Sequence, residues 1–291
     1  MNVLTRFAPS PTGALHLGHA FSALTAYDMA RREDGAFLLR IDDLDQSRCR
    51  AEWEAQIIRD LHWLGLDWPA PVMRQSARLP RYREALEIFW KQGLIYHCSC
   101  SRRDIATAAS APQEGAPMHG PDGLIYPGTC RPAAPPTGPL PDAVLRLDMA
   151  RALARLAAPL AFTETGRGPQ GESGRIHPTD LSRQVGDVVL ARRNMGASYH
   201  LSVVLDDADQ RVTHVVRGQD LFAATQIHVL LQRLLDLPTP AYHHHRLIRD
   251  DAGRRLAKRD DVRAIAGYRA AGRSPADIRA MLDLPAVAPD G

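Results

Sequence analysis

Long apolar runs are missing from this sequence of 291 residues, and with no stretch of about 18 uncharged apolar residues nothing in it reads as a transmembrane helix. A secretory leader is missing too: Met1-Asn2-Val3-Leu4-Thr5-Arg6 runs straight into a proline-broken loop, so the expected location is the cytoplasm. Cysteine is scarce, with four in the chain, which excludes a disulfide scaffold and in a reducing compartment suits a metal site better. Lysine is scarce beside arginine, and the formal charge is only +3, from 36 Lys and Arg against 33 Asp and Glu. That balance permits a phosphate-rich partner without demanding one. No internal repeat is visible, and a hydrophobic content of 45% excludes a disordered chain. The length suffices for one large domain or two smaller ones, each with a real core.

What is present alternates. Val3 to Phe7 reads as a short strand, and Pro9-Ser10-Pro11-Thr12-Gly13 forbids both helix and sheet. From Leu15 to Arg32 the apolar residues Leu17, Phe21, Leu24 and Met29 keep the helical period, and Asp34-Gly35 ends it. Phe37 to Ile41 then reads as a buried strand, with further helices near 51–64 and 80–92. Strands alternating with helices of this length predict a parallel, doubly wound α/β sheet. The middle differs: residues 112–141 hold nine of the 22 prolines, so an irregular stretch that something must tie down is expected there. The α/β rhythm returns after Val212, and a polar loop around 250–261 leads to two short C-terminal helices.

Three groups of residues carry chemistry. The first is His16-Leu17-Gly18-His19 at a helix start, where free N–H groups and the helix dipole favour anions. Gly18 would let a flat purine approach the backbone; the alternative is a polar helix start with satisfied histidines. The second is the basic run Arg255-Leu256-Ala257-Lys258-Arg259, which could close over a triphosphate or be solvated surface. The third is Cys98-Ser99-Cys100 with Cys130, three soft thiolates suited to tetrahedral zinc or, otherwise, three free thiols. A fourth ligand is open between His97, His119 and Tyr126, and spacing alone favours His119. Cys49 has no partner by spacing and reads as a packing residue, and His243-His244-His245 reads as a polar strand near the nucleotide.

A proline-glycine loop ending in His-Leu-Gly-His, followed at the far end of a Rossmann-like pattern by a lysine-bearing basic loop, resembles the class I aminoacyl-tRNA synthetases. The segments Arg6-Phe-Ala-Pro-Ser-Pro-Thr-Gly13, Arg40-Ile-Asp-Asp-Leu-Asp45, Val204-Leu205-Asp206-Asp207 and His214-Val-Val-Arg217-Gly218-Gln219-Asp220 resemble its glutamyl branch, and with the basic loop the matches run in order over about 250 residues. With only 260–291 beyond the basic loop, no anticodon-binding domain is expected, and a core of that kind resembles the glutamyl-Q tRNA(Asp) synthetase family.

The resemblance implies a Rossmann-like core from residues 1–97 and 196–250, an inserted zinc-binding, RNA-facing subdomain over 98–195, and the catalytic loop and helices over 251–291. It implies activation of L-glutamate with ATP and magnesium, and transfer to queuosine in the anticodon of tRNA(Asp), by a monomer. His16, Gly18, His19 and Lys258 would serve ATP, with His16, His19 and Lys258 stabilising the α-phosphate. Arg6, Phe7, Ala8, Pro9, Ser10, Asp42, Tyr199 and Arg217 would line the glutamate pocket. Asp42 stands where the family often has glutamate, and its shorter arm would call for a bridging water. Arg255 and Ala257 depart from the family's usual lysine and serine, while Lys258 is kept. One zinc would be held by Cys98, Cys100, Tyr126 and Cys130. Two rivals remain: a shortened glutamyl-tRNA synthetase charging the 3′ end of tRNA(Glu), and a non-catalytic nucleotide- or RNA-binding remnant.

Overall fold

Strand β1 (Leu4–Phe7) pairs in parallel with β2 (Ala36–Ile41), in a register running from Leu4 opposite Ala36 to Phe7 opposite Leu39. A computed structural model describes residues 2–109, 119–249 and 264–286 of the chain. The short β3 (Met73–Arg74) extends the sheet beyond β2. On the other side of β1 lies β11 (His214–Gly218), stitched to it through Thr213, whose N–H donates to Leu4 O at 2.9 Å and whose Oγ1 accepts from Leu4 N at 2.7 Å. From β11 the sheet continues in parallel to β12 (Ala241–His245) and β8 (Phe162–Glu164), with β9 (Gly174–Ile176) antiparallel at the edge. The alternation of the sequence thus yields the parallel sheet it predicts.

Strand periodicity sends alternate side chains to opposite faces. Phe7, Phe37, Leu39, Ile41 and Val216 join one core layer, with α1 (Leu17–Arg32), α2 (Ala51–Trp63) and the C-terminal helices α9 (Ile265–Ala270) and α10 (Pro275–Met281). Val215 and Tyr242 join the other, with α7 (Tyr199–Asp209) and α8 (Thr225–Leu234). The same second layer takes in α3 (Leu79–Lys91), α5 (Met149–Ala154), α6 (Leu181–Gln184) and an antiparallel sheet of β4 (Ile95–His97), β7 (Leu145–Leu147) and β10 (Val189–Ala191). In the proline-rich middle, helix α4 (Arg102–Ala109) precedes a hairpin of β5 (His119–Gly120) and β6 (Gly123–Leu124); no helix or strand follows until β7. Gly120 is required where it stands, because a Cβ there would lie 2.4 Å from Gln184 O. Among the described residues no helix is long and apolar enough to cross a membrane.

The faces of β1 and β2 that look toward α7 carry Arg6 and Arg40, and α7 answers with Asp206 and Asp207. Arg40 is wholly buried; its Nε lies 2.7 Å from Asp42 Oδ1 and its Nη1 2.6 Å from Asp207 Oδ1. Arg6 grips both oxygens of Asp207, at 3.0 and 3.2 Å. Asp206 accepts from Gln75, Arg78 and Tyr82, which ties α3 and the turn before it to the same cluster. Burial pushes the Asp207 carboxyl up, but the guanidiniums of Arg6 and Arg40 outweigh it and hold the group below the usual carboxylate range. A buried ion cluster is costly to break on one side, because the stranded charges keep their desolvation penalty. Arg40→Met is therefore expected to lower unfolding stability by about 3–5 kcal/mol, read from urea denaturation, and a loss under about 1 kcal/mol would contradict this account.

Candidate active site and metal centre

A cleft of about 590 Å³ opens between the sheet and the start of α1. Its walls bring together Arg6 to Ser10, His16, Gly18, His19, Asp42, Tyr199 and Arg217, residues scattered over more than 200 positions of sequence. Lys258, Arg255 and Ala257 lie outside the described residues. The two described ends that flank their segment both reach this region: Ile248 lines the cleft, and Ala264 bridges to His16, with Ile265 N donating to Leu15 O at 2.8 Å.

The two histidines build the helix start themselves. His16 is the N-cap of α1, and its Nδ1 accepts from Gly18 N at 3.1 Å, while His19 Nδ1 accepts from His16 N at 3.2 Å. The rings stack with centroids 3.8 Å apart. This reciprocal cap is usually made by Ser or Thr with Glu or Gln. Made of imidazoles, it has a chemical consequence. Each Nδ1 is used as an acceptor, so in the neutral ring Nε2 carries the proton and is a donor, the role a phosphate oxygen requires. Gly18 is needed for a reason additional to purine access: a Cβ there would stand 3.0 Å from His16 Cε1 and crowd the capping ring.

On the opposite wall, Arg217 is buried and held by neutral partners. Its Nε donates to His244 Nε2 at 3.1 Å, its Nη2 to Thr225 Oγ1 at 2.7 Å, and its Nη1 to His228 Nδ1 at 3.0 Å. No carboxylate among the described residues lies within ion-pair distance of it; Glu164 stands behind His244, 2.5 Å from its Nδ1. Burial, with Arg217 next, keeps His228 well below its ordinary value, so this imidazole is neutral. Because Arg217 can only donate, His228 Nδ1 accepts and its Nε2–H points to His200 Nδ1 at 3.1 Å; His200 Nε2–H then meets Asp122 Oδ1 at 3.3 Å. Three of the five guanidinium N–H groups are thereby committed, leaving one on each terminal nitrogen, the pair that grips a carboxylate in a fork.

Asp42 is buried against Arg40 and is pushed up to about 6, by burial first, with Arg40 opposing. Arg6, by contrast, has its charge matched by Asp207, so its place in the wall is fixed from behind. Tyr199 opens α7 at the cleft and keeps 39% of its surface exposed. His243 to His245 form strand β12, and His245 lines the cleft. Sequence reading missed Glu164, His200, Thr225 and His228 as parts of this wall. The one available signal was the period-2 alternation that puts His244 on the face of Tyr242, opposite Arg217.

The cysteine cluster lies in the insertion. Sγ atoms of Cys98, Cys100 and Cys130 close within 4.8 Å of one another, and among described His, Cys and acidic residues they are the only such group. Tyr126 Oη stands 3.5 Å from Cys98 Sγ and 3.4 Å from Cys100 Sγ, and Cys100 and Cys130 sulfurs are 3.4 Å apart. A tetrahedral zinc with ordinary bond lengths would set its ligands about 3.5–3.8 Å apart, so the four groups fit such an ion. His119, favoured by spacing alone, is exposed and contributes no nitrogen to the group, and His97 contributes none either. Arg146 backs the cluster, its Nε 3.3 Å from Cys98 Sγ and its guanidinium 3.9 Å above the Tyr126 ring. Cys49 stands apart, half-buried.

Comparison with known proteins places this geometry. Residues 2–119 and 173–290 match the family model described as tRNA synthetases class I (E and Q), catalytic domain. A glutamyl-Q tRNA(Asp) synthetase of Rhodobacter capsulatus is 62% identical over 288 residues, 97% of this chain and 100% of that protein. One from Geobacter sulfurreducens is 41% identical, over 92% of this chain and 79% of that one. Among solved structures, a glutamate tRNA ligase from Elizabethkingia meningosepticum in complex with its amino acid superposes with a TM-score of 0.68 at 26% identity. It matches 89% of this chain, which spans about half (52%) of that longer protein. The chain belongs to the catalytic-domain family of class I tRNA synthetases for glutamate and glutamine, and within it to the glutamyl-Q tRNA(Asp) synthetases.

Proposed function

We propose that this chain is a cytoplasmic ligase that activates L-glutamate with magnesium-bound ATP and transfers the glutamyl group to queuosine in the anticodon of tRNA(Asp). The observation that carries the amino-acid specificity is Arg217, a buried cation that lines the cleft and whose direct partners among the described residues are all neutral. It takes the side-chain carboxylate of glutamate; Asp42 takes the ammonium, and Arg6 to Ser10 with Tyr199 enclose the rest. The α-carboxylate attacks the α-phosphorus of ATP, pyrophosphate leaves, and the Nε2–H groups of His16 and His19 meet the developing phosphate charge, joined by Lys258. No protein nucleophile is involved; the work is positioning and charge stabilisation. The acceptor is read from the relatives' names, and it is tested by offering tRNA(Asp) with and without queuosine. Glutamate attachment only to the queuosine form, in an ester labile to mild base and abolished by periodate, is expected. Efficient charging of tRNA(Glu) at its 3′ end, or no pyrophosphate exchange at all, would each reject the proposal in favour of one of its rivals.

The state of Asp42 sets a pH dependence. In the free enzyme the group is half-protonated at about pH 6, and only the carboxylate form binds an ammonium. Glutamate keeps its charges through this range, its side chain titrating near 4.3 in the unperturbed state. As pH falls below about 6, the proton must leave before the amino acid binds, so the KM for glutamate should rise by up to about tenfold per pH unit. Pyrophosphate exchange measured from pH 7.5 down to 5 should show this rise in the native enzyme, and a KM that stays flat would refute the assignment of Asp42.

The insertion holds one zinc through Cys98, Cys100, Tyr126 and Cys130, a structural brace with no open position and no part in the reaction. The fit of four converging ligand atoms supports it. Cys100→Ser should release the metal, seen by elemental analysis, and hasten cleavage within residues 119–141 by a protease of broad specificity. Full retention of zinc by this variant would count against the ligand set.

A further inference from the structure

A second cavity, of about 320 Å³, adjoins the active cleft and shares Tyr199 and Leu221 with it. Its size is at the lower end of the about 300–1,000 Å³ typical of small-ligand sites. Four separate pieces of chain build it: the turn after β2 with Asp45 and Arg48, the β5–β6 hairpin tip with Asp122, the β10–α7 connection with Arg192, and the starts of α7 and α8. None of these polar groups has a role in the activation step proposed above, and only Asp122 touches the active-site wall, through His200. Two of them also have unspent bonding capacity. Asp122 gives Oδ1 to His200, and its Oδ2 has no hydrogen-bond partner among the described residues; its side chain is 37% exposed. Arg192 is exposed, and its guanidinium makes no hydrogen bond or ion pair with a described residue. Asp45 and Arg48, by contrast, satisfy each other at 2.6 Å.

We propose that this cavity is the acceptor subsite, in which Asp122 pairs with the positively charged secondary amine that carries the cyclopentenediol of queuosine and Arg192 holds a neighbouring backbone phosphate. The inference rests on the function proposed above. Its geometry is that of a passage: Tyr199, partly exposed, lines both this cavity and the cleft in which the glutamyl group is activated. A diol entering past Tyr199 presents its oxygen to the glutamyl carbonyl carbon. The ester C–O bond forms, the bond between that carbon and the phosphate oxygen breaks, AMP leaves with the electron pair, and the hydroxyl proton passes to the departing phosphate. Asp122 selects through charge: guanosine, the unmodified counterpart, has no amine cation to offer it. Arg192 is blind to the base, since a phosphate contact positions without specifying. An exposed tyrosine beside an unpaired arginine is also the combination single-stranded RNA uses for stacking and backbone contact.

The test uses anticodon stem-loops of tRNA(Asp) with queuosine or guanosine at the wobble position, bound to the whole enzyme. Asp122→Asn keeps an oxygen for His200 while removing the charge. It should reduce the preference for queuosine over guanosine by tenfold or more, and lower glutamate transfer relative to pyrophosphate exchange by a similar factor. Arg192→Glu, at an exposed and unpartnered position, should leave exchange within twofold of wild type and weaken both stem-loops equally. If Asp122→Asn keeps the wild-type preference, or if Arg192→Glu binds both RNAs unchanged, the subsite is wrong even though the enzyme still glutamylates queuosine. If the wild-type enzyme exchanges pyrophosphate yet transfers glutamate to neither RNA, the acceptor reading itself falls, and this subsite with it.

Discussion

The buried pairing of Arg40 with the acids of α7 is the constraint on which the remainder rests. A wholly buried arginine near the end of β2 is tolerated only because Asp42, Asp206 and Asp207 surround it, and those acids in turn are tolerated only because Arg6, Arg40 and Arg78 answer them. The cluster locks β1, β2, α3 and α7 in one relative position. That position aims Asp42 and the Arg6–Ser10 segment into the cleft and sets the start of α7, and hence Tyr199, at its mouth. A hydrophobic interface of the same area would bind these elements as firmly, but it would not fix rotation and register so narrowly, since ion pairs and forked hydrogen bonds are directional.

The site has two walls of opposite electrostatic design. The histidine wall presents donors that belong to a helix cap, so the same bonds that start α1 orient the two rings toward their proposed phosphate role. The arginine wall presents a cation whose supporting shell is kept neutral by burial. Glu164 and Asp122 are present, but each is set back by one or two imidazoles, which transmit hydrogen-bond direction without offering Arg217 a competing carboxylate. Among the described residues no acid occupies the Arg217 guanidinium, which suits the carboxylate proposed for it.

Much of this was legible in sequence where the relevant neighbours are close along the chain. His16, Gly18 and His19 announce a helix start within four residues, and the Cys98–Cys100 pair needs only one distant partner. The sheet followed from alternation of short apolar strands with helices. Legibility ended where meaning depends on residues far apart. His200 faces Asp122 across 78 positions and Glu164 faces His244 across 80, and neither pair has a local signature. The candidate for a fourth ligand shows the same limit: spacing favoured His119, whereas folding places Tyr126 beside the sulfurs and leaves His119 exposed on its hairpin. Arg6 was expected as a binding group, and its matching to Asp207 became visible only with α7 in place.

The relay from Arg217 through two imidazoles to Asp122 has one consequence for how this protein can change. Every proton in it is assigned by the obligatory donor at one end, so the hairpin of the insertion and the amino-acid pocket share a single orientation of ring nitrogens. A replacement at His228 or His200 that reversed one ring would have to be matched at the next. The β5–β6 hairpin and the wall around Arg217 are therefore not independent parts: at this contact the two have a common grammar, and a change in one calls for agreement in the other.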